Sequence, residues 1–158
     1  MIQYRRGLLP EPEREFYISG DAFVKDWIIK VRNDVPDAPV LVTAGGLLHY
    51  FEENKVISLL RMIGQSGNME VVFDTVNKKG MAMMQKKYMK QVGHADVQMF
   101  FYVDSAVNLA GKIGGGLMDM TEEPYYRYIP KNGLKLSTKV SMAVSDRLCL
   151  VKMICLNL

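Results

Sequence analysis

The chain is poor in the residues that build disulfide frameworks and zinc sites. Its 158 residues include two cysteines and two histidines, and no Cys-X-X-Cys or His-Glu-X-X-His spacing occurs. Cys149 and Cys155 fall in a segment that reads as one strand, where about 20 Å of extended chain would separate them and exclude a disulfide. We therefore expect no metal site, and a reducing cytoplasm is the default location.

Long apolar runs and a strong charge of one sign are also absent. No run in the sequence approaches the roughly 20 apolar residues of a membrane-spanning helix. The net charge is +3, and 23% of the residues are charged. The lysines of residues 78–90 alternate with methionines in the pattern of a solvated helix face. Neither nucleic acid nor a membrane is indicated as a partner, and the composition is ordinary for one globular domain.

What the chain does contain is a repeated pattern: a short apolar run, a break at a small or acidic residue, and a helix-like stretch. The three units open on EFYISG, VLVTAGG and MEVVFD. Continuous apolar strands that are each followed by a helical stretch are typical of parallel strands covered on both faces. The pattern predicts a doubly wound α/β sheet.

The C-terminal part changes character. GLMDMTEEPYYRYIP and LCLVKMICLNL have strand composition, and NGLKLSTKVSMAVSDR between them has helical spacing after a turn signal. Such an ending commonly adds an antiparallel strand to a parallel sheet. The opening MIQYRRGLLP reads as the last turns of a helix. The predicted fold is an incomplete doubly wound (Rossmann-like), mostly parallel α/β sheet with an antiparallel C-terminal edge, in one domain over residues 1–158.

The three breaks map to one edge of the predicted sheet. Gly20–Phe23 follows the first predicted strand, Ala44–Leu47 the second, and Asp74-Thr75 the third. Open α/β sheets bind ligands beyond the carboxyl ends of their strands, where helix N-termini also point. We therefore expect a binding site at this edge.

The residue types at the breaks suit a nucleoside. Asp21 offers an acceptor to an amino group and Phe23 an apolar face to a ring. Gly45 and Gly46 would let a ligand approach the backbone closely. The alternatives stay open, since Asp21 and Asp74 are also favoured as helix caps or turn residues, and two glycines can form a plain tight turn.

His49 and Tyr50 follow the glycines by one turn. Either side chain could hold or deprotonate a nucleophile, because histidine titrates near neutrality and a phenol both donates and accepts. A histidine beside a strand end is also often an ordinary polar residue. This pair is therefore only a candidate for a catalytic role.

Four segments together carry a resemblance to a known family. They are ISGDAF with Trp27 shortly after it, VLVTAGGLLHYFEENKVISLLRMI, EVVFDTVNKKG and EEPYYRYIPKNGLKLST. In order and spacing they resemble the leucine carboxyl methyltransferase family, and more closely its polyketide O-methyltransferase branch of the tetracenomycin type. The resemblance implies the class I S-adenosylmethionine-dependent methyltransferase fold and S-adenosylmethionine as the cofactor.

The resemblance also implies roles for the residues at the breaks. Asp21 would accept from the adenine amino group, with Ala22 and Phe23 beside the ring. The methionine end of the cofactor would lie along the residues that follow the second strand, Gly45, Gly46 and Leu47.

The resemblance covers the C-terminal part of the family's pattern. Members begin earlier, with a glycine-rich loop after the first strand and an acidic residue that holds the ribose, and neither matches a residue here. It therefore implies an N-terminally truncated methyltransferase of a small-molecule acceptor that lacks the glycine-rich loop and is inactive alone. The alternative is a non-catalytic remnant that serves as a binding or oligomerising module. An unpaired strand favours association, so a homo-oligomer through the exposed sheet edge is also expected.

Overall fold

The computed structural model describes residues 2–9, 12–88 and 97–158. The chain divides into two compact units, Met1–Asp37 and Ala38–Leu158. Each unit is described by itself.

The first unit contains two short helices, and residues 12–25 before the second are turns and irregular chain. Helix α1 spans Ile2–Leu8, as its sequence predicts, and α2 spans Asp26–Asp34. Residues 15–19, which the apolar pattern predicts to be the first strand, are not in a strand. That prediction is wrong, because alternating apolar residues form a strand only where a neighbouring strand pairs with them. No described strand does so, and Phe16 is 88% exposed.

The second unit is built on a mixed four-stranded sheet. In chain order its strands are β1 (Val40–Ala44), β2 (Met69–Val76), β3 (Asp119–Pro124) and β4 (Val151–Asn157). Their spatial order is β1-β2-β4-β3. Strands β1 and β2 are parallel, and β4 is antiparallel to both β2 and β3. The predicted α/β class is confirmed, with parallel pairing at β1 and β2 and antiparallel pairing in the C-terminal part.

Helices connect these strands. They are α3 (Glu53–Gly64), α4 (Lys78–Met83), α5 (Ala106–Ile113) and α6 (Leu136–Arg147), together with a 3-10 turn at Leu48–Tyr50 and a π-helical turn at Met84–Tyr88. The spacing of apolar residues explains α3, which buries one face through Val56, Leu60 and Ile63. The predicted helix in NGLKLSTKVSMAVSDR is confirmed as α6, and Gly133 in the turn before it has a φ of 75°.

The core of the second unit lies along the two inner strands. Phe73 on β2 and Ile154 on β4 are fully buried and face each other across the pair. The Phe73 ring also packs against Phe101, with 6.3 Å between the centroids. Burial of these large apolar side chains is the main source of stability for the sheet.

The two cysteines do not share a strand, which corrects the sequence prediction. Cys149 lies in the turn between α6 and β4 with a φ of 46°, and Cys155 lies within β4. The helix runs to Arg147, so the strand starts later than the apolar pattern indicates. Both thiols are free.

A buried cation joins the C-terminal strands to α5. Lys152 is 1% exposed, and its Nζ donates to Glu122 Oε1 at 2.8 Å and to the carbonyl oxygen of Asp104 at 3.2 Å. The other carboxylate oxygen of Glu122 accepts from the Ala106 N–H at the start of α5. One ion pair therefore connects β4, β3 and α5.

Removing the carboxylate of this pair should destabilise the protein. Glu122→Ala leaves the Lys152 ammonium buried without its counter-charge, and we expect a loss of about 3 kcal/mol in the free energy of unfolding. Lys152→Met is the matched control, because it keeps the volume and leaves a carboxylate that is 30% exposed and can be solvated. Urea unfolding measures both, and equal losses would contradict the charge argument.

Two helical glycines offer a second test of packing. A Cβ on Gly80 in α4 would overlap the backbone oxygen of Leu150 and lie 3.2 Å from Val76 Cβ. We expect Gly80→Ala to cost about 2 to 3 kcal/mol in unfolding free energy. The control is Gly111→Ala in α5, where nothing lies within 4 Å of the new Cβ and a gain of up to about 1 kcal/mol is expected. Similar unfolding midpoints for the two variants would overturn this account.

Candidate functional site

The turn after β1 meets the end of β2 at one edge of the sheet. The pairing of β1 with β2 ends with Ala44 opposite Phe73. The turn that begins at Gly45 therefore lies beside Asp74, the next residue of β2. Gly46 has a φ of 63°, a conformation that favours glycine. Its N–H donates to Asp74 Oδ1 at 2.6 Å. The structure therefore brings two of the three predicted breaks into contact, and Asp74, inside β2, closes the turn.

The surface of this turn is open. Nothing lies within 4 Å of the position that a Cβ would take on Gly45 or on Gly46, and the following Leu47 is 42% exposed. Two residues without side chains followed by an exposed apolar one leave room for another molecule to approach the backbone.

His49 is enclosed beside the same turn. It is 2% exposed, and its Nε2 lies 3.5 Å from Asp74 Oδ2. Its Nδ1 has no hydrogen-bond partner among the described residues. Tyr50, by contrast, is 40% exposed, and its ring stands edge-on to the His49 ring with 6.3 Å between centroids. Of the two predicted catalytic candidates, only Tyr50 presents its side chain to solvent.

The environment of Asp74 favours its ionised form. Burial alone raises the pKa of the Asp74 carboxyl, but the hydrogen bonds from His49 and from the Gly46 N–H, together with the charge interaction with His49, outweigh it. The net effect holds the pKa of Asp74 below its ordinary value. Asp74 is therefore a carboxylate at neutral pH and accepts both contacts.

An extended segment, residues 97–103, runs beside His49. Met99, Phe101 and Val103 are buried along it, while Phe100 and Tyr102 alternate with them and are more exposed. The N–H groups of Phe100 and Phe101 both donate to the His49 carbonyl oxygen, at 2.7 and 3.2 Å. The segment thus presents one row of side chains to the core and the other outward.

A cleft of about 310 Å³ opens along the outward row. Its lining combines aromatic, neutral polar and charged side chains with a buried apolar part, and includes Phe100, Tyr102, Ser105, Asn108, Leu109 and the ion pair of Glu53 with Lys112. The sequence analysis missed this cleft. MFFYV at residues 99–103 is a continuous apolar run, which fits an extended segment but does not tell the outward row from the inward one.

The remaining predicted break, Gly20–Phe23, lies in the first unit. Asp21 Oδ1 accepts from the Phe23 N–H at 2.9 Å, and Trp27 Nε1 donates to the Ala22 carbonyl oxygen at 2.9 Å. Helix α2 begins at Asp26, so Asp21 closes a turn and does not cap the helix. The expected position of this turn beside the one after β1 concerns both units and stays a prediction.

The described part of the chain shows neither a metal-binding cluster nor a membrane-spanning helix. No group of three or more histidine, cysteine, aspartate or glutamate side chains there could hold a metal ion. No helix there combines the length and the apolar character needed to cross a membrane.

Solved structures resemble this chain in fold. A DUF574 family protein from Streptomyces avermitilis MA-4680 superposes with a TM-score of 0.62 at 11% identity, covering 99% of this chain and 60% of its own. A "putative methyltransferase" from Thermobifida fusca YX gives a TM-score of 0.62 at 13% identity, covering 99% of this chain and 58% of its own. No protein-family model and no curated protein matches the sequence. The chain thus spans about 60% of the length of these proteins and shares their α/β fold.

Proposed function

We propose that the chain is the C-terminal part of an S-adenosylmethionine-dependent O-methyltransferase that acts on a small molecule. The observation that carries the proposal is the open Gly45-Gly46 turn after the first of two parallel strands, which Asp74 and His49 connect to Phe100 in the wall of a cleft. The carboxyl ends of parallel strands are the edge at which open α/β sheets bind their ligands. The methyltransferase-like fold and the sequence resemblance support the same function.

The residues of the turn fit the methionine end of S-adenosylmethionine. Gly45 and Gly46 have open space above the backbone, and exposed Leu47 offers an apolar contact to the aliphatic chain of the cofactor. Asp21 already accepts from the Phe23 N–H, but a carboxylate has several lone pairs and can accept from an adenine amino group as well. Ala22 and half-buried Phe23 would then border the ring.

The contribution of the chain to catalysis would be chiefly positioning. When bound, the cofactor would supply an electrophilic methyl group on its sulfonium for transfer to an acceptor oxygen. The cleft would hold the acceptor, with Phe100 and Tyr102 against its apolar surface and the polar side chains of Ser105 and Asn108 within its lining. Tyr50 is the more accessible candidate to hold the acceptor hydroxyl, since His49 is enclosed against Asp74.

We further propose that these 158 residues alone bind the cofactor weakly. In the family that the sequence resembles, a glycine-rich loop and a ribose-binding carboxylate provide further contacts, and no segment here matches them. Each charge-assisted hydrogen bond is worth about 1.5 to 3 kcal/mol, so two or three fewer lower the affinity by about three to five powers of ten.

Titration with S-adenosylmethionine tests both parts of this proposal. Calorimetry should detect no binding tighter than about 1 mM, and a dissociation constant near micromolar would contradict the weak-binding proposal. Amide NMR spectra at a cofactor concentration of about 10 mM should still show shifts at Gly45, Gly46 and Leu47. Gly45→Val places a side chain in the open space above the turn, where no atom lies within 4 Å of the new Cβ, so the fold should be unchanged. This variant should abolish the shifts. Their absence from the unaltered chain would favour the non-catalytic alternative.

A further inference from the structure

We propose that Asp74 and His49 are positioning residues that together hold the Gly45-Gly46 turn in a fixed relation to residues 97–103. The inference takes its meaning from the proposed function, in which the turn carries the methyl donor and this segment lines the acceptor cleft. The contacts that support it exist without any ligand, and they can be tested without one.

The two carboxylate oxygens of Asp74 have different partners. Oδ1 accepts from the Gly46 N–H at 2.6 Å, and Oδ2 lies 3.5 Å from His49 Nε2. The Asp74 side chain is 17% exposed and that of His49 is 3% exposed, so water competes little for the contact between them, whereas the contact with Gly46 lies at the surface. Because one rigid carboxylate holds both partners, the turn and the imidazole ring keep a fixed separation.

The His49 backbone carries the connection onward. Its carbonyl oxygen accepts from the N–H groups of Phe100 and Phe101. Phe101 is 1% exposed and packs against Phe73 of β2, while Phe100 lines the cleft. A continuous path therefore runs from the turn to the wall of the cleft, through backbone hydrogen bonds and the contact between Asp74 Oδ2 and His49 Nε2.

The same geometry argues that the pair does not act on the substrate. Neither Asp74 nor His49 lines the cleft, and both are largely buried. The neighbour of Asp74 across β4 is Met153, which carries no charge. Besides Asp74, the Tyr50 phenol is the titratable group that the described residues place next to the His49 ring. The pair is therefore placed to orient the chain on either side of it.

The contacts of Asp74 depend on its negative charge, so the stabilisation that they provide depends on pH. The native pKa of Asp74 is lowered, so the stabilisation is fully present above its ordinary value in the unfolded chain. It is lost as the pH falls through the lower native pKa. At neutral pH the carboxylate holds both partners.

Amide NMR spectra of the full chain test this inference. Asp74→Asn at pH 7 should move the Gly46 amide proton upfield, because a neutral amide accepts more weakly than a carboxylate. It should also shift the Phe100 and Phe101 amides. Thr75→Val is the local control, since Thr75 is fully buried with no partner for its Oγ1 among the described residues. Glu70→Gln removes a charge from the same strand, and both controls should leave Phe100 and Phe101 unmoved.

An acid titration provides the second readout. In the unaltered chain the Gly46 and Phe100 amides should shift together, with one midpoint that lies below the ordinary pKa of an aspartate, while the amides of inner strand residues keep their native positions. In His49→Gln the Gly46 amide should still titrate and the Phe100 amide should not, which keeps the inference testable if Asp74→Asn fails to fold. Shifts at Gly46 without shifts at Phe100, or equal effects of the control variants, would overturn it. A failed titration with S-adenosylmethionine would not overturn this inference, because neither of its two tests uses a ligand.

Discussion

The parallel pairing of β1 with β2 is the constraint on which the candidate site depends. Because both strands run in the same direction, their carboxyl ends leave the sheet at one edge, and Gly46 comes within hydrogen-bond distance of Asp74. An antiparallel pair would place the turn after β1 at the start of β2 instead. The residue pair, 28 positions apart in the chain, meets only through this topology.

The sequence correctly predicts the helices and strands that bury a continuous set of apolar residues. It does not predict whether an apolar segment finds a neighbouring strand to pair with. Strands β1, β2 and β4 follow from continuous apolar runs, and α6 from helical spacing after the turn at Gly133. The segment EFYIS has the same local pattern, yet it is not a strand, since pairing is a long-range property that composition does not contain. Cys149 illustrates the same limit at a boundary, where a helix end and a turn occupy positions that read as strand.

The site was predictable in part for the same reason. The glycines after β1 and the acidic residue in β2 could be found because special backbone conformations and polar breaks are visible in a single sequence. Residues 97–103 could not be placed beside them, because the contacts of that segment are backbone hydrogen bonds to His49 and to Val76. Any residue except proline can donate such a bond, so the amino-acid sequence does not indicate where it forms.

The cleft is held at two ends by charged groups of different kinds. At one end the ionised Asp74 orients His49, whose carbonyl oxygen fixes Phe100. At the other end buried Lys152 holds the Asp104 carbonyl oxygen, and the Asp104 side chain accepts from the Lys78 N–H. Burying such charges has a cost in desolvation, and it is repaid here because each group makes several directed contacts.

This arrangement suits a reaction that depends on distance and angle more than on proton transfer. Methyl transfer in line from a sulfonium is sensitive to the placement of the acceptor, and displacements of about 1 Å can cost about a hundredfold in rate. The cleft wall is connected to the sheet at both ends, through Asp74 at one end and Lys152 at the other. These contacts restrain the position of the wall relative to the sheet. In the proposed enzyme, the precision of the reaction would therefore come from the buried Lys152 and the half-buried Asp74, neither of which lines the acceptor cleft.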